Sequence, residues 1–428
     1  EATVNYGDCT YVDGICESCE DGEIVSNDED GDEICNGNET IGCMDYAACN
    51  YDEEATQDSG ACTYVDGICE SCEDGKIVDN DLDNNNICNE DEIDCNVSPA
   101  PDSCPEPFIS RWKLQWFDTS ITLPLPSGFN YGFSVDWGDG SELSEVTSYD
   151  DPDRIHTYAA AGEYTLTLRG LMEAISFATI NRYAGWSERC YDSHPDSNKI
   201  IAVPNLGSMG WKSLASAFAC CANLKEVRGG DTSSVTDMGG MFYGADLVNP
   251  DTSQWDTSSV TDMRLMFAYA DLANPDTSQW DTSSVTDMGY MFSNAYAANP
   301  DTSQWDTSSV TDMSWMFYEA YAANPDTSSW DTSSVTDMSG MFYRAYAANP
   351  DTSAWDTSSV TDMGGMFYGI DIGTSNYSNL LIKLAAENFN TGVWLHGGDA
   401  TYNAAGAQAR ATLIERGWNI TDGGPTVE

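Results

Sequence analysis

The sequence predicts a multidomain, non-catalytic chain: disulfide-rich acidic modules, then a small all-β module, then an α/β repeat solenoid of 25-residue coils. Three observations predict it. Twelve of the 15 cysteines lie within the first 104 residues, apolar and polar residues alternate in runs between 105 and 172, and a 25-residue unit recurs from residue 231. A fixed period of that size is the mark of stacked repeats. The expected divisions are two Cys-rich modules at 1–53 and 54–104, the β module at 105–172, an N-terminal solenoid cap at 173–230, the repeats at 231–372 and a C-terminal cap at 373–428. A chain of 428 residues is too long for one ordinary core.

Composition narrows the function. There are 71 Asp and Glu against 16 Lys and Arg, a formal net charge of -55. Nucleic acid and anionic membrane surfaces are poor partners for such a chain, because counterion release and surface attraction both need clustered cations, and no nucleic-acid partner is expected. Hydrophobic residues make up 41%, with 13 Trp and 22 Tyr, so the acidity does not imply disorder. No apolar run reaches membrane-spanning length, so no direct membrane insertion is expected. Dense cysteine is expected to be oxidised, which points to the cell surface or the extracellular medium.

The N-terminal region is a duplication. Thr10-Tyr-Val-Asp-Gly-Ile-Cys-Glu-Ser-Cys-Glu-Asp-Gly22 recurs almost unchanged at Thr63 to Gly75. Two six-cysteine modules follow, each expected to be held by its own disulfides, with connectivity open among the pairings six cysteines allow. Cys16-Glu-Ser-Cys19 and Cys69-Glu-Ser-Cys72 lack the further ligand pairs of a zinc site and the βαβ context of a redox motif, so structural bridges are expected. An acidic loop follows each Cys-rich stretch. Oxygen side chains at alternate positions suit a hard cation. The first set is Ser26, Asp28, Asp30, Asp32 and Glu39; the second is Asp79, Asp81, Asp83, Asn85 and Glu92. These loops resemble the calcium-binding type 3 repeats of thrombospondins, which implies Ca²⁺ as cofactor. Ser26 and Asn84 depart from that pattern.

In the β module, Val135-Asp-Trp-Gly-Asp-Gly-Ser141, His156-Thr-Tyr158 and Gly162-Glu-Tyr-Thr-Leu-Thr-Leu168 occur in order. Together they resemble a PKD-type domain, which implies a small Ig-like β-sandwich with Trp137 and Tyr164 in or near its core. His156 is expected to pack, and Asp136 and Asp139 to hold a turn.

Each repeat reads as Asp256-Thr-Ser-Ser-Val-Thr-Asp-Met-Arg-Leu-Met-Phe-Ala-Tyr-Ala-Asp-Leu-Ala-Asn-Pro-Asp-Thr-Ser-Gln-Trp280. Met263, Met266, Phe267 and Ala270 fall on one face of two helical turns, so a short helix is expected. Thr261 or Asp262 would cap it, Asn274-Pro275 would stop it, and Thr277 to Trp280 would form a strand. The repeat resembles that of BspA-like leucine-rich-repeat surface proteins, with its Trp-Asp-Thr-Ser-x-Val-Thr-Asp-Met-x-x-Met-Phe core. The resemblance extends upstream over Trp211 to Leu224 and downstream over Ala409 to Asp422. It implies an exposed adhesive protein and fixes no ligand. Where many members of that family carry large apolar residues, this chain has Val248, Ala273 and Ala298, and Thr252, Thr277 and Thr302, which implies thinner packing or a tighter coil.

Identical positions build the coil, so variable ones are the candidates for contact. Leu265, Tyr290 and Trp315 vary at the third residue of the Met-x-x-Met step; Tyr296, Tyr321 and Tyr346 form a second column, with Tyr318 and Tyr343 alongside. Stacking would align them into a partner-binding aromatic patch on the convex side. The partner is a protein or carbohydrate on another surface, or copies of the chain itself. Two functions follow: an adhesin or recognition protein on a calcium-stiffened stalk, or the structural subunit of an extracellular filament or coat. No catalytic constellation accompanies His156, His194 or His396. Cys190 is expected to pair with Cys220, leaving Cys221 buried.

Overall fold

The computed structural model describes residues 16–20, 23–27, 35, 38, 40–65, 70–73, 76–79, 105–178, 190 and 192–426. The chain divides into two compact units, Glu1–Asp94 and Cys95–Glu428.

In the first unit the duplication recurs as structure. Strand β1 (Glu17–Glu20) pairs antiparallel with β2 (Glu23–Ser26), and Glu17 faces Ser26. Strands β3 (Ile41–Gly42) and β4 (Gln57–Asp58) pair in parallel. Strand β5 (Glu70–Glu73) pairs with β6 (Lys76–Asp79), and Glu70 faces Asp79 in the register of the first hairpin. Disulfides join Cys16 to Cys35, Cys43 to Cys62 and Cys49 to Cys72. The last two span the boundary expected at residue 53, so the bridges tie the two copies together where separate sets were expected. Cys16 and Cys72 both take distant partners, which agrees with the structural reading of the Cys-x-x-Cys pairs. Only Cys16, Cys43 and Ala48 are buried apolar residues among those described here.

The second unit opens on β7 (Phe108–Leu114), β8 (Ser120–Thr122), β9 (Tyr131–Asp136), β10 (Ser144–Val146), a 3-10 turn at Pro152–Arg154, β11 (Ile155–Thr157) and β12 (Gly162–Met172). A further strand, β13 (Ile200–Asn205), completes a five-stranded sheet of order β10-β9-β12-β7-β13, while β11 pairs with β8. The sheet therefore runs past the boundary expected at 172. On β7 the alternation buries Phe108, Trp112 and Leu114 and exposes Arg111 and Lys113, the period-2 pattern of a one-sided sheet. Trp137 is 1% exposed and stacks on His156 at 4.9 Å. His156 Nε2 lies 2.8 Å from Asp139 Oδ2, and this bond above all holds the Asp139 carboxyl down at about 2. Asp136 and Asp139 accept from the Gly138 and Ser141 amides, so both hold the turn.

Beyond the sheet, 25-residue units stack in parallel register. Bridges connect Ser213 to Asp237, Asp237 to Asp262, and so on to Asp337 with Asp362. The expected helix is absent. In the unit from Asp256, the amides of Met263, Leu265, Phe267 and Tyr269 donate to Asp287, Gly289, Met291 and Ser293 of the next unit. Between them Met266, Ala268 and Ala270 donate three residues back, to Met263, Leu265 and Phe267. Alternate amides thus leave the unit, which an α-helix with all its bonds internal forbids. Met263, Met266, Phe267 and Ala270 are still fully buried. The segment Thr277 to Trp280 is also a turn rather than a strand, closed by the Trp280 amide on the Thr277 carbonyl.

Three ladders fasten the units. Thr252, Thr277, Thr302 and Thr327 donate through Oγ1 to the backbone carbonyls of Asp276, Asp301, Asp326 and Asp351, at 2.6 to 2.8 Å. Thr232, Thr257, Thr282, Thr307 and Thr332 do the same on a second line. The backbone amides of Asn274, Asn299, Asn324 and Asn349 donate to the side-chain Oδ1 of the Asn one unit earlier. Threonine at these positions staples neighbouring units through its hydroxyl. Inside, Phe177, Phe218, Phe242, Phe267, Phe292, Phe317, Phe342 and Phe367 stack in one column, at 5.4 to 6.5 Å. One continuous buried cluster extends from Phe108 to Trp418. Cys190 is bonded to Cys220 and Cys221 is buried, as expected.

Asp237, Asp262, Asp287, Asp312, Asp337 and Asp362 form the bridged column, and each side chain accepts the amide two residues on. Burial, reinforced by Asp312 and Asp262, pushes the Asp287 carboxyl up. A folded pKa above the unfolded one means that ionisation weakens the fold, so this group's contribution falls as pH rises through that window. Asp287→Asn keeps the acceptor and removes the charge. It is expected to raise stability by about 1 kcal/mol at pH 7, with the gain shrinking toward pH 3; urea unfolding at both pH values checks it.

The stack ends on α1 (Thr374–Glu387), β14 (Trp394–His396), α2 (Ala404–Glu415) and β15 (Asn419–Thr421), with β14 and β15 parallel. Asn376 closes the threonine ladder: its side chain accepts from Thr352 Oγ1 and donates to the Pro350 carbonyl. Buried Asn388 donates to the Thr357 and Val360 carbonyls.

Candidate recognition surface

Two positions in every unit have left-handed backbone. The first is Gly240, Leu265, Tyr290, Trp315, Gly340 and Gly365, with φ from 56° to 68°. The second is Gly244, Tyr269, Asn294, Glu319, Arg344 and Gly369, with φ from 52° to 77°. Ser216 and Cys220 have the same conformation one unit earlier. Glycine adopts it freely, whereas a bulky L-residue is strained there by about 1–2 kcal/mol. Leu265, Tyr290 and Trp315 therefore occupy sites at which the backbone favours glycine.

Most of the expected patch is brought together. Tyr290 stacks on Trp315 at 6.2 Å; Trp315 packs on Tyr318 and Tyr343 at 5.4 and 6.0 Å. Tyr318 and Tyr343 stack at 5.0 Å. A Cβ at Gly340 would fall inside the Trp315 indole, so that glycine both takes the left-handed turn and seats the ring. The second column runs Tyr296, Tyr321 and Tyr346, at spacings of 4.9 and 5.3 Å, with exposures of 40%, 40% and 62%. Leu265 is half-buried. Glu319 lies between the columns, within 3.5 Å of the Tyr321 hydroxyl and 2.9 Å from Arg344.

Arg264 and Arg344 are the only basic residues between 231 and 372, and both lie against these rings. Arg264 lies 5.7 Å from the Tyr290 centroid, and Arg344 5.5 and 5.8 Å from those of Tyr343 and Tyr368. Cation–π attraction accounts for that placement. Burial first, then Glu319, pushes the Tyr318 hydroxyl up to about 12, so it remains a donor. Because Tyr296, Tyr321 and Tyr346 stack face to face, their column presents edges and hydroxyls.

The model of a family described as "Mycoplasma protein of unknown function, DUF285" matches residues 212–324 and 296–383. Over that stretch the chain is similar to that family. No curated protein and no solved structure matches the chain.

The sequence reading missed Tyr368 and His396, which extend the first column: Tyr343 stacks on Tyr368 at 4.5 Å, and His396 meets Tyr368 edge-on at 5.1 Å. Tyr368 stands one period after Tyr343, so the signal was present. The expected calcium ligands Asp28, Asp30, Asp32, Glu39, Asp81, Asp83, Asn85 and Glu92 lie outside the described residues; Asp79 ends β6. Among the described residues no group of three or more His, Cys, Asp and Glu side chains could hold a metal ion.

Proposed function

We propose that this chain is an extracellular surface protein that recognises a protein or carbohydrate on another surface through a BspA-like solenoid of 25-residue coils. The observation that carries the reading is the occupation of left-handed backbone sites by Leu265, Tyr290 and Trp315, where Gly240, Gly340 and Gly365 take the equivalent turn without strain. Strain held at a surface is accounted for by use of that surface. Exposed, stacked tyrosines beside the only two arginines of the repeats have the composition of an interaction hot spot. The repeat motif's resemblance to adhesive surface proteins and the disulfides, which fit an oxidising compartment, support the same reading. The N-terminal modules act as a stalk stiffened by Ca²⁺ on the two acidic loops, and the PKD-like module joins stalk to solenoid.

Binding of the labelled chain to a glycan array and to immobilised extracellular-matrix proteins, in Ca²⁺ and in EGTA, tests the proposal. Tyr290→Gly with Trp315→Gly is expected to weaken binding at least ~10-fold. Equal binding by the variant removes the columns from the account. Equal hydrodynamic size in Ca²⁺ and EGTA removes the calcium stalk.

A further inference from the structure

The chain carries few cations, yet four of its 16 sit together beside β7 and the segment after β13, and none belongs to the aromatic columns. Arg111 and Lys113 project from the solvent face of β7, and with Lys225 they line a groove of about 650 Å³. Arg228 joins them through Glu226, which lies 3.4 Å from Arg111 and 3.1 Å from Arg228. Lys113 lies 3.1 Å from Glu163. Lys225 is exposed and has no carboxylate within salt-bridge distance among the described residues. Four cations face three carboxylates, Glu163, Glu226 and the Asp251 beside Arg228, which leaves an excess of positive charge on a chain of net charge -55. From Gln115, on the groove wall, the chain continues into Trp116 and Phe117, which are 83% and 71% exposed and pack edge-on at 5.5 Å. Arginine and tryptophan on an open groove form the usual anchor set of a protein interface, and the cations select an acidic partner.

We infer that this groove takes the acidic N-terminal unit of a second copy of the chain. That unit, Glu1–Asp94, holds 29 Asp and Glu and a single basic residue, Lys76. A contact between two different surfaces of identical chains joins the copies head to tail, into a ring where the rotation closes and into an open filament where it does not. The inference is independent of the aromatic columns, because it uses none of their residues.

The test is sedimentation of the full chain against concentration and salt. Mass is expected to rise with concentration at low salt and to collapse to monomer in about 0.5 M NaCl, where exposed charges are screened. Lys113→Glu with Lys225→Glu is expected to lower the association constant at least ~10-fold, while Lys212→Glu, an exposed cation outside the groove, leaves it unchanged. Carbodiimide coupling in a mixture of isotopically light and heavy chains should join Lys113 or Lys225 of one copy to carboxylates of Glu1–Asp94 of another; this map decides the matter if the double variant misfolds. Monomer at every concentration overturns the inference. So does association indifferent to the lysines, coupling confined to single chains, or assembly only when heparin is added.

Discussion

Reduction with dithiothreitol is expected to unfold Glu1–Asp94 completely while the repeats remain folded. The described bridges of that unit close sequence separations of 19, 19 and 23 residues. Each contributes about 3 kcal/mol by constraining the unfolded chain. Their sum of about 9 kcal/mol equals the whole stability of an ordinary domain. In EGTA little else opposes unfolding, since Cys16, Cys43 and Ala48 are the buried apolar residues among those described there. Cys95–Glu428 has one described bridge, Cys190–Cys220, and a continuous core from Phe108 to Trp418. Hydrogen-exchange mass spectrometry before and after reduction separates the units. Lost protection before residue 95 and retained protection across 231–372 is the expected pattern; retained protection in both would mean that the acidic unit has a core of another kind.

Phe292→Ala is expected to cost about 3–5 kcal/mol, the range for deleting a buried aromatic ring from a close-packed site. Its ring stacks on Phe267 at 5.4 Å and Phe317 at 5.6 Å, with interplanar angles of 3° and 5°. No neighbouring side chain can fill the gap, because each unit is pinned to the next by Thr and Asn ladders on either side. In an array whose stability is carried by nearest-neighbour contacts, a defect in one unit weakens two interfaces. Urea unfolding should show a lower midpoint or a split transition. A cost below about 1 kcal/mol would mean that the column is not tightly packed.

Much of this was legible because a period fixes more than a propensity does. The 25-residue recurrence placed Met263, Met266, Phe267 and Ala270 in the core. It did not distinguish a helix from a run of turns, since both bury positions i, i+3, i+4 and i+7; Gly240, Gly340 and Gly365 were the clue to left-handed backbone. The role of Thr277 was unreadable because only the neighbouring unit's carbonyl explains a buried hydroxyl. Strand β13 escaped notice because its partner, β7, lies about 90 residues away. Bridges across residue 53 were beyond reach because the duplication assigns six cysteines to each copy, and none of the fifteen pairings within one copy crosses that boundary. The aromatic columns were visible as columns, while the strain that singles out Tyr290 and Trp315 belongs to the backbone.

The most direct test of the recognition reading is the unfolding free energy of the Tyr290→Gly/Trp315→Gly chain beside the wild type. If these rings serve a partner, relief of two left-handed residues offsets lost ring contacts and the added freedom of glycine. Stability should then lie within about 1 kcal/mol of wild type while binding fails. A loss of about 3 kcal/mol or more, the scale of a core aromatic, would make the columns part of the framework and contradict their assignment to recognition.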